Sequence, residues 1–105
     1  MTTTRRGHER YQTDMVVTLT FGDETFEART DNISLGGMHL IAEKQPPFGA
    51  VLDIRFRLPT MKEDTVCKGT VRWNRPEGFG ISYDGMRAID TWGLNQLFRQ
   101  LAKLV

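Results

Sequence analysis

In VLDIRFRL, Leu52, Ile54, Phe56 and Leu58 fall on one side of an extended chain, with Asp53, Arg55 and Arg57 on the other. Strict alternation of this kind suits a β-strand with one dry and one wet face, and a helix would scatter these apolar residues around its axis. The same period runs through MVVTLTF, where Met15, Val17, Leu19 and Phe21 share a face, and through TFEARTDN, where Phe26 and Ala28 alternate with Glu27 and Arg29. Gly22-Asp23-Glu24 marks a turn between them, so the two segments read as a hairpin. Further short strands are expected at MHLIA, at TVCKGTVRW and at FGISY. Counting straight along TVCKGTVRW puts Cys67, Gly69, Val71 and Trp73 on one face, which assigns Trp73 to the core. NISLGG reads as a break, because its two glycines interrupt a regular strand; QPPFG and PTMKED read as loops, and NRPEG as a turn.

The period changes only after Gly85. From Ala88 to Val105 apolar residues recur at helical spacing, at Leu94, Leu97, Phe98, Leu101 and Leu104 or Val105, with Asp90 and Thr91 as candidate caps. Six short strands followed by one amphipathic helix predict a mainly β domain, a six-stranded antiparallel β-barrel with a C-terminal α-helix across an end or a side. Closure removes the edges an open sheet would expose. The expected organisation is an arginine-rich, flexible N-terminal arm over residues 1–13 and a single barrel domain over 14–105.

A net charge of +1 gives no general field for nucleic acid or an anionic membrane, so any anion binding has to come from local clustering. The single cysteine, Cys67, excludes an internal disulfide and reads as a small core residue. The beginning of the chain has no apolar signal region and no run is long enough to span a bilayer, so a cytoplasmic protein without membrane insertion is expected. No nucleophile elbow, paired-carboxylate motif or phosphate loop is present, and a non-enzymatic role is expected. Neither His8 nor His39 has partners at metal-ligand spacing, so no metal and no cofactor are expected.

Two stretches carry candidate chemistry. RRGHER holds Arg5, Arg6 and Arg10 just ahead of the first strand, and NISLGG holds Asn32, Ser34 and Gly37 after the second. Arginine offers a planar fork of donors that grips phosphate and stacks on a base. Asn32 and Ser34, two residues apart in extended chain, point to one side and present short polar groups suited to a base edge. Gly37, lacking Cβ, permits a positive φ and a close approach of backbone to ligand. Alone, the first stretch is an ordinary solvated terminus and the second an ordinary turn with local side-chain bonds. Together they outline a pocket for a guanine nucleotide with phosphodiester links.

In this arrangement the sequence resembles the PilZ domain family, whose two signatures are RxxxR and (D/N)xSxxG. The resemblance extends to VRW closing one strand, GFGISY just after it, and the C-terminal helix, and so covers the chain from Arg5 to Val105. It implies binding of the second messenger cyclic di-GMP. Arg6 and Arg10 would then grip phosphates and stack on guanine, Asn32 and Ser34 would meet a guanine edge, and Gly37 would keep the turn open. Arg5, just before the motif, implies an intercalated ligand dimer, two molecules per chain. Asn32 stands where aspartate is commoner and removes a charged acceptor for the guanine N1 and N2 donors. With no output domain in the sequence, the signal is expected to pass to a separate protein effector. Two other readings compete: a PilZ-like adaptor without ligand, and a small barrel that binds single-stranded nucleic acid. The low net charge and the apolar patterning of the aromatics stand against nucleic acid.

Overall fold

The computed structural model describes residues 9–102. Seven strands, β1 (Tyr11–Gln12), β2 (Val16–Phe21), β3 (Glu24–Ile33), β4 (Gly37–Ile41), β5 (Val51–Phe56), β6 (Thr65–Arg75) and β7 (Gly78–Tyr83), precede one helix, α1 (Ala88–Ala102). All pairings are antiparallel, in the order β1-β3-β2-β5-β6-β7-β4, and β4 returns to β3 to close six strands into a barrel. The six expected strands and the helix are all present. The seventh strand is new. Tyr11 and Gln12 pair with Ile33 and Asn32, on the side of β3 that β2 serves over Glu24–Arg29. The last part of the expected 1–13 arm is therefore strand, and the arm's first eight residues lie outside the described ones.

The alternation that predicted the strands also sorts their side chains. Leu52, Ile54 and Phe56 of β5, and Val17 and Leu19 of β2, are buried, while the charged residues between Leu52 and Phe56 are exposed. The first hairpin turns in two residues, with Phe21 opposite Glu24 and Gly22 at φ 62°. Cys67 is half-buried against the core, and burial pushes its thiol pKa up to about 11, which keeps it protonated and poorly nucleophilic at neutral pH.

The helix buries Leu94, Leu97 and Phe98. Phe98 stacks on Tyr11, with ring centroids 4.5 Å apart, and the Thr60 hydroxyl donates to the Gly93 carbonyl at 2.8 Å. So α1 is held against the β5–β6 connection on one side and β1 on the other. It starts at Ala88, before the expected caps: Asp90 sits in its first turn, fully buried, accepting from Arg87 at 2.7 Å and from the Thr65 hydroxyl at 2.8 Å. A carboxylate there is favoured by the helix dipole, and it joins the helix start to β6. Among the described residues, no helix is long and apolar enough to cross a membrane.

Candidate ligand site

The site is made by two irregularities in the ladder. Between Thr30 and Asn32 on β3, and between Val71 and Trp73 on β6, the register against the neighbouring strand slips by one residue. Each slip is a β-bulge, and each reverses which side of the sheet the following residue faces. Thr30 is buried opposite Leu40, but Asn32 lies opposite His39; Val71 is buried opposite Ile81, but Trp73 lies opposite Gly80. His39 and Gly80 are themselves partners across β4 and β7. Asn32, His39, Gly80 and Trp73 thus form one row across four strands, on the outside of the barrel. The next row, Ile33, Met38, Ile81 and Val71, is the buried core behind it.

Trp73 therefore does not belong to the core, as straight counting placed it. Its indole covers Gly80, where any Cβ would collide with the ring, and His39 meets it edge-on with centroids 4.7 Å apart. The Arg75 guanidinium lies 4.5 Å from the indole centroid, a cation–π arrangement.

NISLGG is less of a break than the sequence suggests, because Asn32 and Ile33 finish β3 and Gly37 opens β4. Ser34 ties the connection. Its backbone N–H donates to the Gly37 carbonyl at 2.8 Å, and its buried hydroxyl accepts from the N–H groups of Gly36 and Gly37 at 3.1 and 3.2 Å. Gly37 is not in the left-handed region that the sequence reading allowed for. Its missing side chain serves another purpose, since a Cβ there would strike the Ile81 carbonyl of β7. The glycine is required by the neighbouring strand.

Arg10 closes the site. Its Nε donates to Asn32 Oδ1 at 2.5 Å and one terminal nitrogen donates to Ser34 Oγ at 3.3 Å. The structure thus brings Arg10, Asn32, Ser34 and Gly37 together, while Arg5 and Arg6 lie outside the described residues. Partial burial lowers the Arg10 pKa, and the cation's two described hydrogen bonds go to neutral oxygens. Such a group gains from an anionic partner. Burial, then Arg10 and Arg75, lower the His39 pKa against the opposing effect of Asp31, so the imidazole is neutral at pH 7.

A groove of about 330 Å³ runs along this row, lined by Arg10, Ser34, His39, Arg72, Trp73 and Ser82 among others. Arg72 donates to the Ser82 hydroxyl at 3.0 Å on its wall. His39, Arg72, Trp73, Arg75 and Ser82 were not selected by spacing, because only the two bulges and the strand order bring them beside the motif. A second hollow of about 350 Å³, between Tyr11, Leu35 and the helix residues Phe98 and Arg99, carries none of the motif's polar groups.

The sequence matches the model of the PilZ domain over residues 4–103. Among curated proteins, none matches it. Several solved structures share the fold. The Bacillus subtilis inhibitor of motility MotI/DgrA superimposes with a TM-score of 0.80 at 23% identity, over 96% of this chain and 53% of that one. The Borreliella burgdorferi PlzA protein, solved in complex with c-di-GMP, gives a TM-score of 0.72 at 17% identity, over 90% of this chain and 41% of that one. The PilZ domain of CeSA from a cellulose-synthesizing bacterium gives 0.65 at 13%, over 91% and 97%. The chain spans about half the length of MotI and less of PlzA. With the motif pair, the closed barrel and the family model in agreement over nearly all of its length, the chain belongs to the PilZ domain family.

Proposed function

We propose that this chain is a cyclic di-GMP receptor that passes its signal to a protein partner. The observation that carries the proposal is the row Asn32–His39–Gly80–Trp73 with Arg10 across its end. It sets a carboxamide, an aromatic plane and a partly desolvated guanidinium side by side on one face of the barrel. A guanine nucleotide needs those three groups: a polar partner for the base edge, a surface to stack on, and a cation for the phosphodiester.

In this reading Arg10 moves from neutral oxygens to a phosphate, Arg6 and Arg5 join it from the N-terminal side, and Trp73 offers its ring to a base. Ser34 and Gly37 contribute by shaping the β3–β4 connection. Each charge-assisted hydrogen bond is worth about 1.5–3 kcal/mol net, so a few of them, less the ordering of the chain that carries them, support roughly micromolar binding. PlzA in complex with c-di-GMP supports the ligand, and the description of MotI as an inhibitor of motility supports action on another protein.

The test is isothermal titration calorimetry with cyclic di-GMP, using GMP and a short single-stranded oligonucleotide as controls. Saturable heat with the cyclic dinucleotide alone is expected, and a ligand-to-protein ratio near two would assign Arg5 to a ligand dimer. No heat with the dinucleotide would leave a ligand-free adaptor, and saturation by the oligonucleotide would favour the nucleic-acid reading.

A further inference from the structure

A carboxamide is ambiguous. It carries a donor at one end and an acceptor at the other, and a half-turn about its last bond exchanges them. If Asn32 is to receive the N1–H and N2–H donors of guanine, something has to hold its oxygen outward. Three neighbours define the amide. Arg10 Nε can only donate, so the Asn32 atom 2.5 Å from it is the oxygen. The Asp31 carboxylate only accepts, so the atom 3.2 Å from its Oδ2 is the nitrogen. The same nitrogen lies 3.1 Å from His39 Nδ1.

That last contact settles the imidazole. Asn32 Nδ2 is the donor, so His39 Nδ1 is the bare acceptor nitrogen and the ring's proton sits on Nε2. The opposite tautomer would set two donors face to face. The ring itself is held edge-on against Trp73, with an interplanar angle of 78°. Both hydrogens of Asn32 Nδ2 are then used, one on Asp31 and one on His39. A carbonyl oxygen has two lone pairs; before ligand binds Arg10 takes one, which leaves the other to accept from a ligand.

We infer that His39 is a positioning residue, which by accepting from Asn32 Nδ2 fixes that amide as a pure acceptor toward the guanine edge. The inference rests on the cyclic di-GMP reading above. Asparagine needs this orientation where aspartate does not, because a carboxylate accepts at either oxygen whereas an amide accepts only at its single oxygen.

The experiment pairs a tautomer measurement with a binding cycle. In the unliganded protein, long-range ¹⁵N–¹H NMR is expected to show His39 as the Nε2–H tautomer; the Nδ1–H tautomer would overturn the inference. By calorimetry, His39→Phe keeps an aromatic ring against Trp73 but removes the acceptor, and cyclic di-GMP binding should weaken by about 10-fold, the loss of one hydrogen bond. Asn32→Asp has nothing to orient, so adding His39→Phe to it should change affinity by less than about 3-fold, within the usual limit of additivity for uncoupled sites. A His39→Phe protein that binds like wild type, or an equal loss in both backgrounds, overturns the role of His39 alone. A wild-type protein that does not bind cyclic di-GMP overturns the receptor reading and this inference with it.

Discussion

Arg10 shows how much one side chain can organise when its partners are neutral. It spans Asn32 and Ser34, the two polar positions of the second motif, and leaves its charge only partly hydrated. Arg10→Ala should weaken cyclic di-GMP binding by about 10- to 100-fold in calorimetry, since a charged contact is worth on the order of 1.5–3 kcal/mol. Its melting temperature should stay near that of wild type, because the side chain is outside the core. Arg10, Asn32 and Ser34 were legible in the sequence as motif positions, although only the bulge on β3 turns Asn32 outward to meet Arg10. Trp73 was not. Its apolar character and even spacing from Val71 put it inside, and only the inserted Arg72 turns it out.

Elements here are joined by contacts that fail in different ways. Gly37 opens β4 directly beneath the Ile81 carbonyl, so Gly37→Val should act on the fold as well as the site. Overpacking of this kind costs about 1–3 kcal/mol, a drop of roughly 5–20 °C in Tm. Thermal melts would separate it from Arg10→Ala, which should lose binding without that drop. Asp90 joins α1 to β6. Hydrogen bonds from Arg87 and Thr65 hold its carboxyl below the ordinary carboxylate value, against the opposing effect of burial. Its contribution to stability is therefore present above about pH 4 and is lost as pH falls through the lowered value. Urea midpoints measured down the acid range should fall less steeply for Asp90→Asn than for wild type, from a lower starting stability at neutral pH.

At the scale of the molecule, the helix, the barrel and the start of the described chain pack into one core. Phe98 is buried in the core cluster and stacked on Tyr11, the residue next to Arg10. Phe98→Ala should cost about 3–5 kcal/mol, as removal of a buried aromatic does, and the protein should still unfold in one calorimetric transition. Two separated transitions would show instead that α1 and the barrel are independent units.

The alternation of apolar residues, the change of period after Gly85 and the two spaced motifs were enough to specify a barrel, a helix and the polar residues of a candidate site. Those are local properties, set by where a side chain points relative to its sequence neighbours. The tertiary structure alone decided that Tyr11–Gln12 is a strand, that Gly37 is demanded by β7, and that His39 and Trp73 stand beside Asn32. A bulge is one extra residue measured against a partner strand, so no single strand's sequence reveals it. Two bulges on strands far apart in the chain, aligned across β4 and β7, turn Asn32 and Trp73 outward and make the site.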